Sequence, residues 1–140
     1  MPLRIVRLGS PRAPDEGTRI GTVRRPPRGV PKSEFASQDW YDVWLPLLSP
    51  QPDTMHMAQQ AQQLVARDPE AGQKAWQQFL KAFRKELAAP DASRTLDLLA
   101  ALSQHSALSV GCYCPDEALC HRSQLRAELV ARQALIVDET

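Results

Sequence analysis

Aromatic residues make up only 6% of this chain, glycines number six and cysteines three. No apolar run approaches the ~18 residues of a membrane span, so no membrane partner is expected. The few glycines form neither a Gly-x-Gly-x-x-Gly fingerprint nor a Walker loop, so no phosphate-cradling cofactor motif is present. An excess of one charge is missing too. The formal net charge is +1, which gives no global drive toward nucleic acid or membrane. The opening "MPLRIVRLGS" has too few apolar residues for a secretory signal and is interrupted by Arg4 and Arg7. A cytoplasmic location is therefore expected, and with it reduced thiols rather than a disulfide framework. No internal repeat is found, and the only biased segment is a Gln cluster at 59 to 63.

What is present suits one folded domain spanning residues 1 to 140. The chain is 43% hydrophobic and 24% charged, enough to bury a core and unlike a disordered segment. Its charge is uneven. Residues 1 to 34 hold eight Lys or Arg against three Asp or Glu, and the remainder holds nine against thirteen. The basic end therefore supplies a local positive surface suited to an anion.

The pattern along the chain alternates between strand and helix. "LRIVRLG" (residues 3 to 9) reads as a strand with one covered face, and "RIGTV" (19 to 23) as a second. The loop "RRPPRGVPK" (24 to 32) has three prolines and a glycine and carries Arg24, Arg25, Arg28 and Lys32. A short edge strand is expected around Tyr41 to Leu45, ended by Pro46, with Trp40 and Trp44 packed beneath the basic loop. A weakly striped helix follows, capped by Asp53 or Thr54. A second helix is clearer. Asp68 caps it, Pro69 takes its first position, and Trp76, Phe79, Leu80, Phe83 and Leu87 share one face. Pro90 breaks it, and Asp91 restarts a helix burying Leu96, Leu99 and Leu102. "SALSVGCYC" (106 to 114) is the best strand, ended by Pro115; a helix is expected from about Leu119 to Arg132, then a short strand or tail at "ALIVDET". The fold class is α/β: a single small domain whose small central sheet, at least partly parallel, is covered by helices.

"RPPRGVPKSEF", "WLPLLSP", "FLKAFRKEL" and "LSVGCYCPDEALCHRSQL", in that order, resemble the DUF488 (YeaO-like) family. The most specific elements are Pro27-Arg28-Gly29-Val30 with Lys32, and Cys112 followed by Cys120-His121-Arg122. Members usually read Pro-Arg-Gly after an Arg-Leu-Trp stretch, where this chain has "VRRP". Many have an acidic residue two positions after the strand-end cysteine, and here Cys114 stands there. The resemblance implies a compact α/β domain of the bacterial cytosol and implies no particular reaction.

"GCYCPDEALCHRSQL" (111 to 125) holds every cysteine in the chain. A strand, a short loop and a helix start at the carboxyl edge of a sheet, where open α/β folds bind ligands. Free N–H groups at a helix start favour anions, and Arg122 adds a planar fork of donors. Three readings follow. The first is a thiolate site: Cys120 beside His121 and Arg122 has a lowered pKa, Cys112 is a resolving partner, and His121 carries or orients a proton. The spacing does not match a Cys-x5-Arg phosphate loop. The second is a metal site of zinc type using Cys112, Cys114, Cys120 and His121. It is not favoured, because Cys-x-Cys is tight and adjacent helical residues point ~100° apart. The third is a structural turn with buried cysteine. The function carried forward is binding of an anionic or nucleotide-like ligand by Arg28, Arg122 and Lys32 at the sheet edge, with thiol chemistry at Cys112, Cys120 and His121. The rival is a noncatalytic module that binds nucleic acid or a protein partner through the basic loop and the nearby aromatics. Isolated His56 and His105 are read as surface or capped residues.

Overall fold

Leu3–Arg7 forms the first strand, β1, which runs from a fully buried Leu3 to an exposed Arg7. The computed structural model describes residues 2 to 137. Strand β2 (Thr18–Gly21) and the two-residue β3 (Val43–Trp44) follow, then helices α1 (Pro52–Arg67), α2 (Pro69–Leu87) and α3 (Pro90–Leu102). Strand β4 (Leu108–Cys112) and helix α4 (Arg122–Ala131) complete the domain. The strands lie in the order β1-β4-β2-β3, and every pair is parallel. Parallel pairing needs long crossovers, and α1 to α3 occupy the one between β3 and β4. All four strands therefore end at the same edge of the sheet.

Register sorts the two faces. Leu3 pairs with Leu108 and Ile5 with Val110, while Val110 also faces Ile20. Leu3, Ile20, Leu108 and Val110 join Phe79, Phe83, Leu96, Leu125 and Leu129 in the main core, under the helices. On the other face, Arg19 is paired in register with Ser109. Arg19 is fully enclosed and makes a two-pronged contact with Glu16, Nε to Oε2 at 2.7 Å and Nη2 to Oε1 at 2.9 Å. Its Nη1 donates to the carbonyls of Ser10 and Asp39, and Ser109 Oγ donates to Glu16. A charge this deep is tolerable only when paired and fully hydrogen-bonded. Here it also ties the loop after β1 to the loop before β3, the two loops that flank the sheet's carboxyl edge.

Asp68 caps α2 as expected, accepting from the Ala71 N–H at 3.2 Å. The other helix starts differ by a few residues. α1 begins at Pro52 and α3 at Pro90, because proline is well placed in the first turn where its missing N–H costs nothing. Thr54 does not cap; its hydroxyl donates to Glu86 on α2. The segment after α4 runs beside β1, with an isolated bridge from Leu3 to Ile136. The last part of the expected terminal strand, residues 138 to 140, lies outside the described residues.

Candidate functional site

A cleft of about 1110 Å³ opens at the carboxyl edge of the sheet. The turn after β1 contributes Arg7 to Pro11, the proline loop after β2 contributes Arg25 to Arg28, and Trp40 and Tyr113 complete the wall. Tight local chemistry positions these groups. Gly9 takes φ +88°, and a Cβ there would lie 2.9 Å from the Trp40 ring, so the turn needs glycine to let the indole in. Trp40 meets Tyr113 edge to face, with centroids 5.8 Å apart. The Tyr113 hydroxyl donates to the Arg25 carbonyl at 2.8 Å and so holds the proline loop over the cleft. Arg7 Nε donates to the Tyr113 carbonyl at 3.3 Å.

Three guanidinium groups, those of Arg7, Arg25 and Arg28, share this cleft, and none forms an ion pair among the described residues. The Trp40 indole N–H is enclosed and has no acceptor among them either. Arg24 turns the other way and donates to the carbonyls of Ser49 and Pro50. The loop's cations thus divide: Arg25 and Arg28 face the cleft, while Arg24 braces the chain ahead of α1.

The thiol cluster stands at the same edge. Cys112 ends β4 and Cys114 follows two residues later, their sulfurs 3.9 Å apart. The Asp116 side chain caps a short turn, Glu117–Leu119, which brings Cys120 back toward β4. Cys120 is extended (φ −131°, ψ 152°), and α4 starts only at Arg122. Cys120 and His121 are therefore not neighbours on a helix, and the expected 100° divergence between them does not arise. One ligand atom from each of Cys112, Cys120 and His121 falls within 4.8 Å of the others, all three residues being buried. His121 Nε2 lies 2.7 Å from the Thr22 carbonyl oxygen, which can only accept, so Nε2 carries the proton. Nδ1 faces Cys120 Sγ at 3.9 Å. Arg122, also buried, places Nε 3.4 Å from Cys120 Sγ and donates from Nη2 to the Cys114 carbonyl.

The thiols differ in acidity because they share protons. Donation to Cys114 and Cys120, with burial second, pushes Cys112 above the ordinary thiol range. Cys114 accepts from Cys112 and Cys120, and the Arg122 charge and the Gln62 amide add to that against burial, holding it down to about 3. Cys120 is also lowered, chiefly by the Cys112 thiol, with His121 helping. Arg122 has no carboxylate partner among the described residues, and the group its Nε meets is the Cys120 sulfur.

The family model described as "DUF488-N3a: Active DUF488-N3 subclade" matches residues 3 to 133. The chain belongs to the DUF488 family. No curated protein and no solved structure matches it.

In this DUF488 chain the expected site residues fall into two groups and one outlier. Cys112, Cys114, Cys120, His121 and Arg122 come together. Arg28 lies in the cleft, whose wall does not include Arg122. Lys32 sits exposed in a short turn, Lys32–Glu34, outside that wall. Cys120 has no exposed surface, whereas Cys114 is half-buried and is the thiol that solvent reaches. Sequence reasoning missed Arg7 and Tyr113 as cleft residues. The available signal was positional: Arg7 ends the first strand and Tyr113 follows the last, at the edge where parallel sheets bind ligands. No helix among the described residues is long and apolar enough to cross a membrane.

Proposed function

We propose that this protein binds an anionic ligand carrying an aromatic ring, of nucleotide type, in the cleft at the carboxyl edge of the sheet. The observation that carries this reading is the grouping of Arg7, Arg25 and Arg28 with Trp40 and Tyr113 around one cavity. Arginines without carboxylate partners suit phosphate, which their planar forks can grip at two oxygens. The aromatic pair suits a base, which gains by stacking. The volume is close to the upper end of small-molecule sites, roughly 300–1,000 Å³. The description of the matched subclade as active belongs to that subclade; taken to this chain, it supports a working site at this edge. Any thiol chemistry on the ligand would draw on the neighbouring cluster, with Cys114 as the thiol open to solvent.

Calorimetric titration of the full chain with adenosine monophosphate, inorganic phosphate and a short single-stranded oligonucleotide tests this. The monophosphate is expected to bind more tightly than phosphate. Arg25→Ala and Arg28→Ala should each weaken it by about 10- to 100-fold, the value of one charge-assisted hydrogen bond at about 1.5–3 kcal/mol. Binding of the oligonucleotide without the monophosphate would replace this reading with a nucleic-acid surface. Binding of none of the three would end it.

A further inference from the structure

The thiol cluster is built like a metal site, and nothing in the cleft reading requires it to be one. The geometry points to a zinc-class divalent ion held by Cys112, Cys120 and His121, with Cys114 closing the fourth position. Four observations carry this. First, the three inner ligand atoms already converge within 4.8 Å in a buried pocket, and the Cys112 and Cys114 sulfurs are 3.9 Å apart. Tetrahedral zinc with bonds of about 2.3 Å to sulfur sets neighbouring sulfurs about 3.8 Å apart. A disulfide would need them at about 2.05 Å.

Second, the histidine is set in the metal-binding tautomer. Its Nε2–H is committed to the Thr22 carbonyl, which leaves the Nδ1 lone pair facing Cys120 Sγ. Donation of the remote ring N–H to a backbone carbonyl is the usual support for a ligating imidazole. Phe83 packs edge-on against the ring and fixes its plane. Third, the ligand set is soft: thiolates with one imidazole select zinc-like ions over magnesium or calcium. Fourth, the charges close. Three thiolates around a divalent ion leave one negative charge, and the buried Arg122 lies against it with Nε on Cys120 Sγ. Without such an anion this guanidinium would be buried with no countercharge.

The ligands arise from both ends of the β4-to-α4 turn, while the carbonyl that orients His121 comes from the residue after β2. An ion here would therefore pin the turn beside Tyr113 to the neighbouring strand. Three ligands are buried and Cys114 is half-exposed, so the fourth position is the exchangeable one.

The test is a titration of the full chain, reduced and stripped with a chelator, with cobalt(II) and then zinc(II). One equivalent of cobalt should produce thiolate-to-metal charge-transfer absorption and the intense visible bands of a tetrahedral site, and one equivalent of zinc should bleach both. Cys112→Ser and His121→Gln should each weaken cobalt binding more than ~100-fold, beyond the 10–100-fold of an outer-shell partner. Cys114→Ser should keep the metal and lose about a third of the charge-transfer intensity, as one thiolate of three is removed. Should Cys112→Ser fail to fold by circular dichroism, the wild-type spectrum and Cys114→Ser still decide. Weak octahedral bands without charge transfer, or three thiols freely titratable in the presence of zinc, would overturn the assignment. So would a native mass with no metal that is short by two hydrogens, which would make the cluster a disulfide pair. None of these readouts involves the nucleotide, so this proposal and the cleft reading stand or fall separately.

Discussion

At the residue scale, the site depends on a buried ion pair that no motif announces. Glu16 and Arg19 are each almost wholly enclosed, and Arg19 bridges the carbonyls of Ser10 and Asp39, whose neighbours Gly9 and Trp40 shape the cleft. Burial alone would raise the Glu16 pKa, but hydrogen bonds from Arg19 and Ser109 and the Arg19 charge outweigh it and hold it below the ordinary value of 4.5. A carboxylate depressed in the folded state contributes stability above its unfolded pKa, and that contribution is lost as pH falls through the folded value. Glu16→Gln should therefore destabilise the domain by about 3–5 kcal/mol at neutral pH, because it leaves Arg19 buried without a countercharge. Urea unfolding of both proteins at neutral pH and in acid checks this: the gap must narrow in acid. A gap that is constant with pH would show that the pair contributes through packing alone. In the sequence these two residues read as an ordinary loop acid and strand-start base, because nothing in a spacing of three residues says that both will be enclosed.

At the element scale, the helices were the most legible part and the sheet edge the least. Trp76, Phe79, Phe83 and Leu87 do form the buried stripe of α2, since a helical period declares its own face. β4 was legible too, since Leu108, Val110 and Cys112 alternate along it, but it is buried at every position, as a central parallel strand must be, and Ser109 on its other face is satisfied by Glu16. The start of α4 was not. Apolar spacing suggested Leu119, but the turn capped by Asp116 takes up residues 117 to 119 and leaves Cys120 extended. That shift of three residues is what gathers the cysteines instead of spreading them around a helix. The α1–α2 hairpin rests on a contact that also escaped notice. Gly72 lies so close to α1 that a Cβ there would sit 2.4 Å from the Val65 Cα. Gly72→Ala would gain about 1 kcal/mol of helix propensity, yet it forces two backbones apart at an overpacking cost of about 1–3 kcal/mol. We expect a net loss of stability and a lower urea midpoint; a higher midpoint would mean that the helices are not in backbone contact.

At the scale of the whole molecule, the uneven charge acquires a location. Arg7, Arg25 and Arg28 all come from the basic first 34 residues, and the parallel topology delivers them to one edge along with Tyr113 from the far end of the chain. Strand order could not be read from the sequence, because β4 inserts between β1 and β2, which are far from it along the chain. Without that insertion Tyr113 would miss Trp40 across the cleft, and His121 would lose the Thr22 carbonyl that orients its ring. The two parts of the site are thus one consequence of one topology, with anion-binding groups on the loops and soft ligands on the turn after β4.

The central claim is that the cleft seats an anionic aromatic ligand, and an amide NMR spectrum of isotope-labelled protein titrated with adenosine monophosphate tests it most directly. The account predicts shifts clustered on Gly9, Ser10, Arg25, Arg28 and Tyr113, with the Trp40 indole N–H moving as it gains an acceptor or a stacked base. An unchanged spectrum, or shifts confined to the exposed edge at Val43 and Trp44, would contradict it.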